Sequence, residues 1–201
     1  MPEIFAILGI CLLGYLSGSL TFSIWVTKLV KGVDVRDAGS GHATTTNTIR
    51  QAGWLPGVIV LILDIGKGFV PTWLAVKYAP AEWVVVLTAA LAVVGHCWPV
   101  FAGFRGGMGL AVAGGGFLAI DIQFFFVALG LLIALTLLIR HSARAAIVTG
   151  VILAPVFYLF GGRGLIIYAA AASGLVLAVR FLSDYNREYR ELWLDREKPE
   201  G

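Results

Sequence analysis

Residues 39–50 read GSGHATTTNTIR, a run of small and hydroxylated residues closed by an arginine, in a chain that is 59% hydrophobic and 13% charged. Gly39 and Gly41 flank Ser40, a pattern that lets a turn present backbone N–H groups into a concavity, and such nests bind anions. Thr44, Thr45, Thr46 and Asn47 add neutral donors where a helix is expected to begin, and its positive N-terminal end would face the same place. Arg50 supplies a bidentate fork for phosphate, and Arg36 of the preceding KGVDVRDA lies within reach. The stretch reads as a phosphate cradle. Its bland alternative is a flexible connection with an ordinary helix cap. The Walker spacing G-x-x-x-x-G-K-[ST] is absent.

A second chemical stretch is GHCWPVFAGFRGGMG, residues 95–109. His96 and Arg105 lie in or beside an apolar segment, and Gly106, Gly107 and Gly109 permit close backbone approach to a ligand. His96 is either an acid/base candidate or a hydrogen-bonded packing residue. Asp64 and Lys67, three apart on one helical face, form a buried ion pair or a wall of the site, with Lys67 able to add positive charge for an anionic ligand. His42, His96 and His141 lack metal-ligand spacing, so neither a metal nor a cofactor is expected. No G-x-S-x-G elbow supports a covalent serine mechanism.

The elements that must position these residues are membrane helices. A charged fraction of 13% and a mean hydropathy of +0.88 compare with about 25% charged in soluble domains. Continuous, non-alternating apolar stretches predict an all-α polytopic helical bundle rather than a barrel. About seven crossings are expected, at 4–30, 54–76, 84–102, a short glycine-rich 108–120, 122–139, 145–160 and 164–180, the fourth being a short or half helix. The first lacks a basic segment before it and a small-residue cleavage site after it, and is read as a retained span. With the N-terminus outside, twelve of the fifteen Lys and Arg residues fall on the cytoplasmic side, leaving Lys77 and Arg163 outside and Lys67 within the membrane. The polar stretches 31–53, 103–109 and 140–144 then share one side and can converge. Cys11 and Cys97 lie in apolar segments and read as packing residues. Residues 1–182 form the membrane domain. Residues 183–201 form an exposed, charged cytoplasmic tail, in which Leu182, Tyr185, Tyr189, Leu192 and Trp193 suggest a short interfacial helix.

GYLSGSLTFS, KGVDVRDAGSGHATTTNTIRQAG, LDIGKGFVP and GHCWPVFAGFRGGMGLA, in this order and membrane setting, make the chain similar to the bacterial acyl-phosphate:glycerol-3-phosphate acyltransferase family of the PlsY type. The resemblance implies transfer of an acyl group from an acyl phosphate to the 1-hydroxyl of glycerol 3-phosphate, giving lysophosphatidic acid and phosphate, in the bacterial inner membrane. Membrane lipids are the implied surroundings. No nucleic-acid partner is expected, and the oligomeric state stays open. Carried over, Ser40, Thr46, Asn47, Arg50 and His96 form the reacting centre, while Arg36, Gly39, Gly41, His42, Lys67, Arg105, Gly106, Gly107 and Gly109 bind substrate.

The chain departs from the family pattern at His42, Thr44 and Thr45 in the first motif, where Asn, Gly and Ala are usual. Met108 replaces a phosphate-contacting lysine, a lost charge-assisted bond of about 1.5–3 kcal/mol that protonated His42 or Lys67 could make good. In RHSARAAI, Ser142 is off the register of the third motif, and RFLSDYN lacks the usual His/Arg/Glu/Asn group. Two alternatives remain at this point: an acyltransferase with another phosphorylated acceptor, and a non-catalytic lipid- or phosphate-binding relative or small transporter.

Overall fold

A computed structural model of the chain describes residues 2–187. Their regular structure is entirely helical: α1 (Pro2–Gly18), α2 (Phe22–Lys31), α3 (Thr45–Ala52), α4 (Trp54–Tyr78), α5 (Glu82–Cys97), α6 (Leu110–Ile120), α7 (Ile122–Ile139), α8 (Ser142–Leu159) and α9 (Leu165–Leu182), with short 3-10 turns at Val35–Asp37 and Val100–Ala102. Six segments are long and apolar enough to cross a membrane, the first being α1 and α2 together, and α6 is the short apolar helix expected as the fourth.

One departure from the sequence reading concerns the first span, which is broken rather than continuous. Gly18 and two hydroxyl residues, Ser19 and Thr21, mark the break, and α1 closes with the Ser19 N–H donating to the Tyr15 carbonyl at 2.9 Å. An open carbonyl in hydrocarbon is costly. The Leu20 carbonyl accepts from Lys67 Nζ at 2.6 Å, and the same amine lies 2.9 Å from Asp64 Oδ1. Both side chains are almost wholly buried, so of the two roles open to this pair the structure shows the ion pair, with a helix break as its third member.

The same junction satisfies a proline. Pro71 inside α4 cannot donate to the carbonyl four residues earlier. That carbonyl, of Lys67, accepts instead from Ser17 Oγ at 2.9 Å.

Helix pairing relies on small residues, as expected where lipid removes any hydrophobic drive to associate. Gly14, Gly18 and Gly95 bring α1 and α5 into backbone contact. Gly68 and Gly115 do the same for α4 and α6, and Gly150 and Gly174 for α8 and α9. A methyl group at any of these would strike the facing backbone. Between them lies an apolar cluster that includes Val93, Val112, Phe117, Phe124, Leu153 and Phe157, with Phe117 edge-on to Phe157 at 5.3 Å. α7 lies at the periphery, with Phe124 its one buried residue.

Candidate functional site

The first connection leaves α2 at Gly32, whose φ of 74° lets its N–H bond back to Lys28. Asp34 caps the 3-10 turn by accepting from the Arg36 N–H at 2.9 Å. Arg36 returns to it with Nη2 2.7 Å from Oδ2, and Arg36 Nη1 donates to the carbonyls of Ala102 at 2.9 Å and Arg105 at 3.1 Å. Arg36 therefore ties the first connection to the second. The guanidinium beside Asp34 holds its carboxyl below the ordinary 3.8.

Thr44 caps α3, accepting from the Asn47 N–H at 3.2 Å, so the helix does begin among the threonines. Asn47 is fully buried, and it is the hub of the cradle rather than an open donor. Its Nδ2 donates to the carbonyls of Val35 at 2.6 Å, Ala38 at 3.1 Å and His42 at 3.1 Å, while its Oδ1 accepts from the Ser40 N–H at 3.3 Å. Gly39, at φ 61°, passes so close to Asn47 Oδ1 that no side chain fits. Ser40 is buried, and its hydroxyl accepts from the His42 N–H at 3.4 Å. Thr46 is exposed and Arg50 half-buried on α3.

The second connection interlocks with the first. The Ala43 N–H donates to the Gly106 carbonyl at 3.3 Å, and the Gly107 N–H to the His96 carbonyl at 3.0 Å. Protein atoms crowd both glycines: a Cβ at Gly106 would strike the His96 carbonyl and Pro99, and one at Gly107 would collide with His96 Nε2 and the Ala43 carbonyl. His96 lies beneath this turn, 7% exposed, with Nδ1 3.9 Å from Asp64 Oδ1. Gly109 at φ 88° starts α6, and the Arg105 side chain is exposed. Met108 is buried in the apolar cluster, away from the place its lost charge implied.

A third contribution comes from the end of α9, and here the expectation of a wholly exposed tail is corrected. Asp184 is 2% exposed, and its Oδ2 lies 2.8 Å from His42 Nε2. Arg180 Nε donates to the Gly107 carbonyl at 2.9 Å, with Nη2 3.3 Å from His42 Nδ1. Arg187 Nη1 lies 3.3 Å from His42 Nε2 and 3.9 Å from Asp184. Burial pushes the His42 imidazole below its ordinary 6.5, and Arg180 and Arg187 push the same way against Asp184. Lys67, the other cation the sequence offered in place of the lost charge at Met108, is engaged by the break in the first span. Arg144 of α8 donates to the Tyr185 carbonyl at 3.2 Å, so the 140–144 turn shares this end of the bundle. Tyr189, Leu192 and Trp193 lie outside the described residues.

Of the residues expected at the site, Arg36, Gly39, Ser40, Gly41, His42, Thr46, Asn47, Arg50, Arg105, Gly106, Gly107 and Gly109 gather at one end of the bundle. His96 lies just below them, and Lys67 lies deeper, joined to His96 through Asp64 Oδ1. Arg180, Asp184 and Arg187 were not among those expected; their signal was charge in the last turn of α9 and just beyond it. Among the described residues, no three or more His, Cys, Asp or Glu side chains could together hold a metal ion.

A family model described as glycerol-3-phosphate acyltransferase matches residues 8–191. The chain is 37% identical over 180 residues to a glycerol-3-phosphate acyltransferase of Bordetella petrii, covering 89% of this chain and 84% of that one. It is 36% identical over 182 residues to that of Aquifex aeolicus, covering 90% and 94%. It also resembles the crystal structures of PlsY, an integral membrane glycerol 3-phosphate acyltransferase: the glycerol 3-phosphate form at TM-score 0.80 and 34% identity, and the lysophosphatidic acid form at 0.79 and 33%, each covering 90% of both chains.

Proposed function

Because this chain belongs to the glycerol-3-phosphate acyltransferase family and is a membrane-embedded enzyme that acylates glycerol 3-phosphate, we propose that its donor is an acyl phosphate and that the two anionic substrates meet over the 39–50 cradle. The observation that supports this reading is the interlock itself: the peptides at Ala43–Gly106 and His96–Gly107, and Arg180 on the Gly107 carbonyl, gather the cradle, the glycine turn and the end of α9 at one end of the bundle. Asn47 gives its donors to backbone carbonyls and Arg36 divides its own between backbone and Asp34, so both shape the cradle. In this reading the Gly39–Gly41 turn, the start of α3, Thr46, Arg50 and Arg105 face substrate.

In the proposed step the 1-hydroxyl oxygen of glycerol 3-phosphate attacks the acyl carbonyl carbon, the carbon–oxygen bond to phosphate breaks, and the departing phosphate takes the hydroxyl proton. The donor is already activated, so holding two anions close and neutralising them supplies most of the acceleration. His96, packed beneath Gly107, carries the turn. In the same reading the membrane domain is residues 1–182, the cradle end faces the cytoplasm from a bacterial inner membrane, and the N-terminus lies outside; the charge asymmetry supports it. Lys28, Lys31, Arg36, Arg50, Arg105, Arg140, Arg144, Arg180 and Arg187 lie at the cradle end, against Lys77 and Arg163 at the other.

Purified protein in micelles, given long-chain acyl phosphate and glycerol 3-phosphate, is expected to release phosphate and form lysophosphatidic acid, with Arg50→Ala slowing it about a hundredfold, as expected for a lost charge-assisted contact of some 3 kcal/mol. Product from an acyl thioester but not from acyl phosphate would overturn the donor assignment.

A further inference from the structure

Asp184 is a buried acid in a segment whose sequence reads as solvent-facing, and its 2.8 Å approach to His42 spans 142 residues of chain. His42 stands where the family pattern has Asn. Two elements separated by most of the chain thus meet at one imidazole, and the chemistry of that meeting has only a few solutions.

With the proton on Nε2, His42 donates to Asp184, and the Nδ1 lone pair accepts from Arg180 Nη2 at 3.3 Å. With the proton on Nδ1, two donors face each other at Arg180, a bare Nε2 lone pair faces Asp184 Oδ2 at 2.8 Å, and only Arg187 Nη1, at 3.3 Å from Nε2, is accommodated. The imidazolium satisfies Asp184 but sets a cation against two guanidinium groups. The neutral Nε2–H form meets the most partners, including the shortest.

We propose that Asp184 is a positioning residue for acyl transfer: by accepting a hydrogen bond from His42 Nε2–H it fixes the tautomer whose Nδ1 accepts from Arg180, and so docks the end of α9 on both glycine-rich connections. Arg180 carries the effect onward, since its Nε holds the Gly107 carbonyl and its Nη1 donates to Ser183 Oγ at 3.3 Å. The His42 backbone carries it to the cradle hub, because its carbonyl accepts from Asn47 Nδ2. An Asp at 184 and a His at 42 are a matched pair, each explaining the other. The inference rests on the cradle being the reacting centre.

Two measurements on the full-length protein in micelles test it. Nitrogen-15 spectra of the labelled histidines, with the His42 signals identified by their loss in His42→Asn, are expected to show neutral Nε2–H at pH 7.5. In Asp184→Asn, whose carboxamide can donate to Nε2, they are expected to show Nδ1–H. A wild-type Nδ1–H or imidazolium signal, or an unchanged tautomer in Asp184→Asn, overturns the proposal whether or not acyl phosphate is turned over. If Asp184→Asn does not fold, the wild-type spectrum alone decides. In turnover with acyl phosphate and glycerol 3-phosphate, each single variant is expected to lose about tenfold to a hundredfold, the range seen when a partner that orients an imidazole is removed. The double variant His42→Asn with Asp184→Asn is expected to be no worse than the weaker single. Losses that multiply would mean independent roles and sink the pairing.

Discussion

The two ends of the bundle solve different problems with the same kind of chain. At the end away from the cradle, α6 passes to α7 through Asp121 alone, whose Oδ1 accepts from the Gln123 N–H at 2.9 Å, and α8 turns into α9 with the Gly162 N–H reaching back to Phe157 at 2.8 Å. Those polar groups find partners within a few residues. At the cradle end, Arg36 finds the Ala102 carbonyl 66 residues on, and His42 finds Asp184 142 residues on. A turn that only reverses direction can be specified locally, whereas an end built from several connections needs distant partners, each holding the next.

Disrupting the hub tests this contrast most strongly. Asn47→Ala removes the side chain that ties Val35, Ala38, Ser40 and His42 together; Gln51 Nε2 still serves the Val35 and Ala38 carbonyls and the Thr44 N–H the His42 carbonyl, so the Ser40 N–H is the group that loses its acceptor, at about 1–3 kcal/mol. Turnover is expected to fall at least a hundredfold while the helical circular dichroism persists; retained activity would break the distinction between ends. Gly107→Ala, which puts a methyl group against His96 and Ala43, should cost about 1–3 kcal/mol by overpacking and about tenfold in turnover. Gly130→Ala on α7, with nothing within 4 Å, should leave both untouched.

Met108→Lys restores a charge in sequence but buries it in the apolar cluster. Thermal stability is expected to drop, and turnover to fall a few-fold rather than rise. A gentler effect comes from pH. The folded state favours neutral His42, so its contribution is complete above the ordinary 6.5 and is lost as pH falls through the lowered folded value. Tm and turnover should both decline on the acid side, and His42→Asn should remove that component. The smallest change is at the far end: Asp121→Ala loses one helix cap, worth about 1 kcal/mol, with turnover unchanged when measured below Tm.

The spans, their short fourth member and the convergence of the polar connections were legible because hydropathy and charge asymmetry act over whole segments. Thr44 and Asn47 could be placed at a helix start, but which donors would turn inward could not, since Asn47 serves carbonyls brought round by the fold of its own connection and Arg36 serves carbonyls of another. Glycines at 106 and 107 announced a close approach without saying to what. His96 and Ala43 stand where a side chain at Gly107 would go. Asp184 was hidden by its neighbours: in a run of charged residues, nothing local marks the one that a distant imidazole will bury. The break in the first span had a signal, in Gly18, Ser19 and Thr21, that apolar continuity overrode.

That break also sets a schedule for biosynthesis. Leu20 reaches the bilayer 47 residues before Lys67 leaves the ribosome. At about 5–20 residues per second, the nascent first span waits roughly 2–9 s for its amine. During that interval water or the insertion machinery must serve the Leu20 carbonyl, so the opening helix cannot be fully committed to lipid until the second long one arrives.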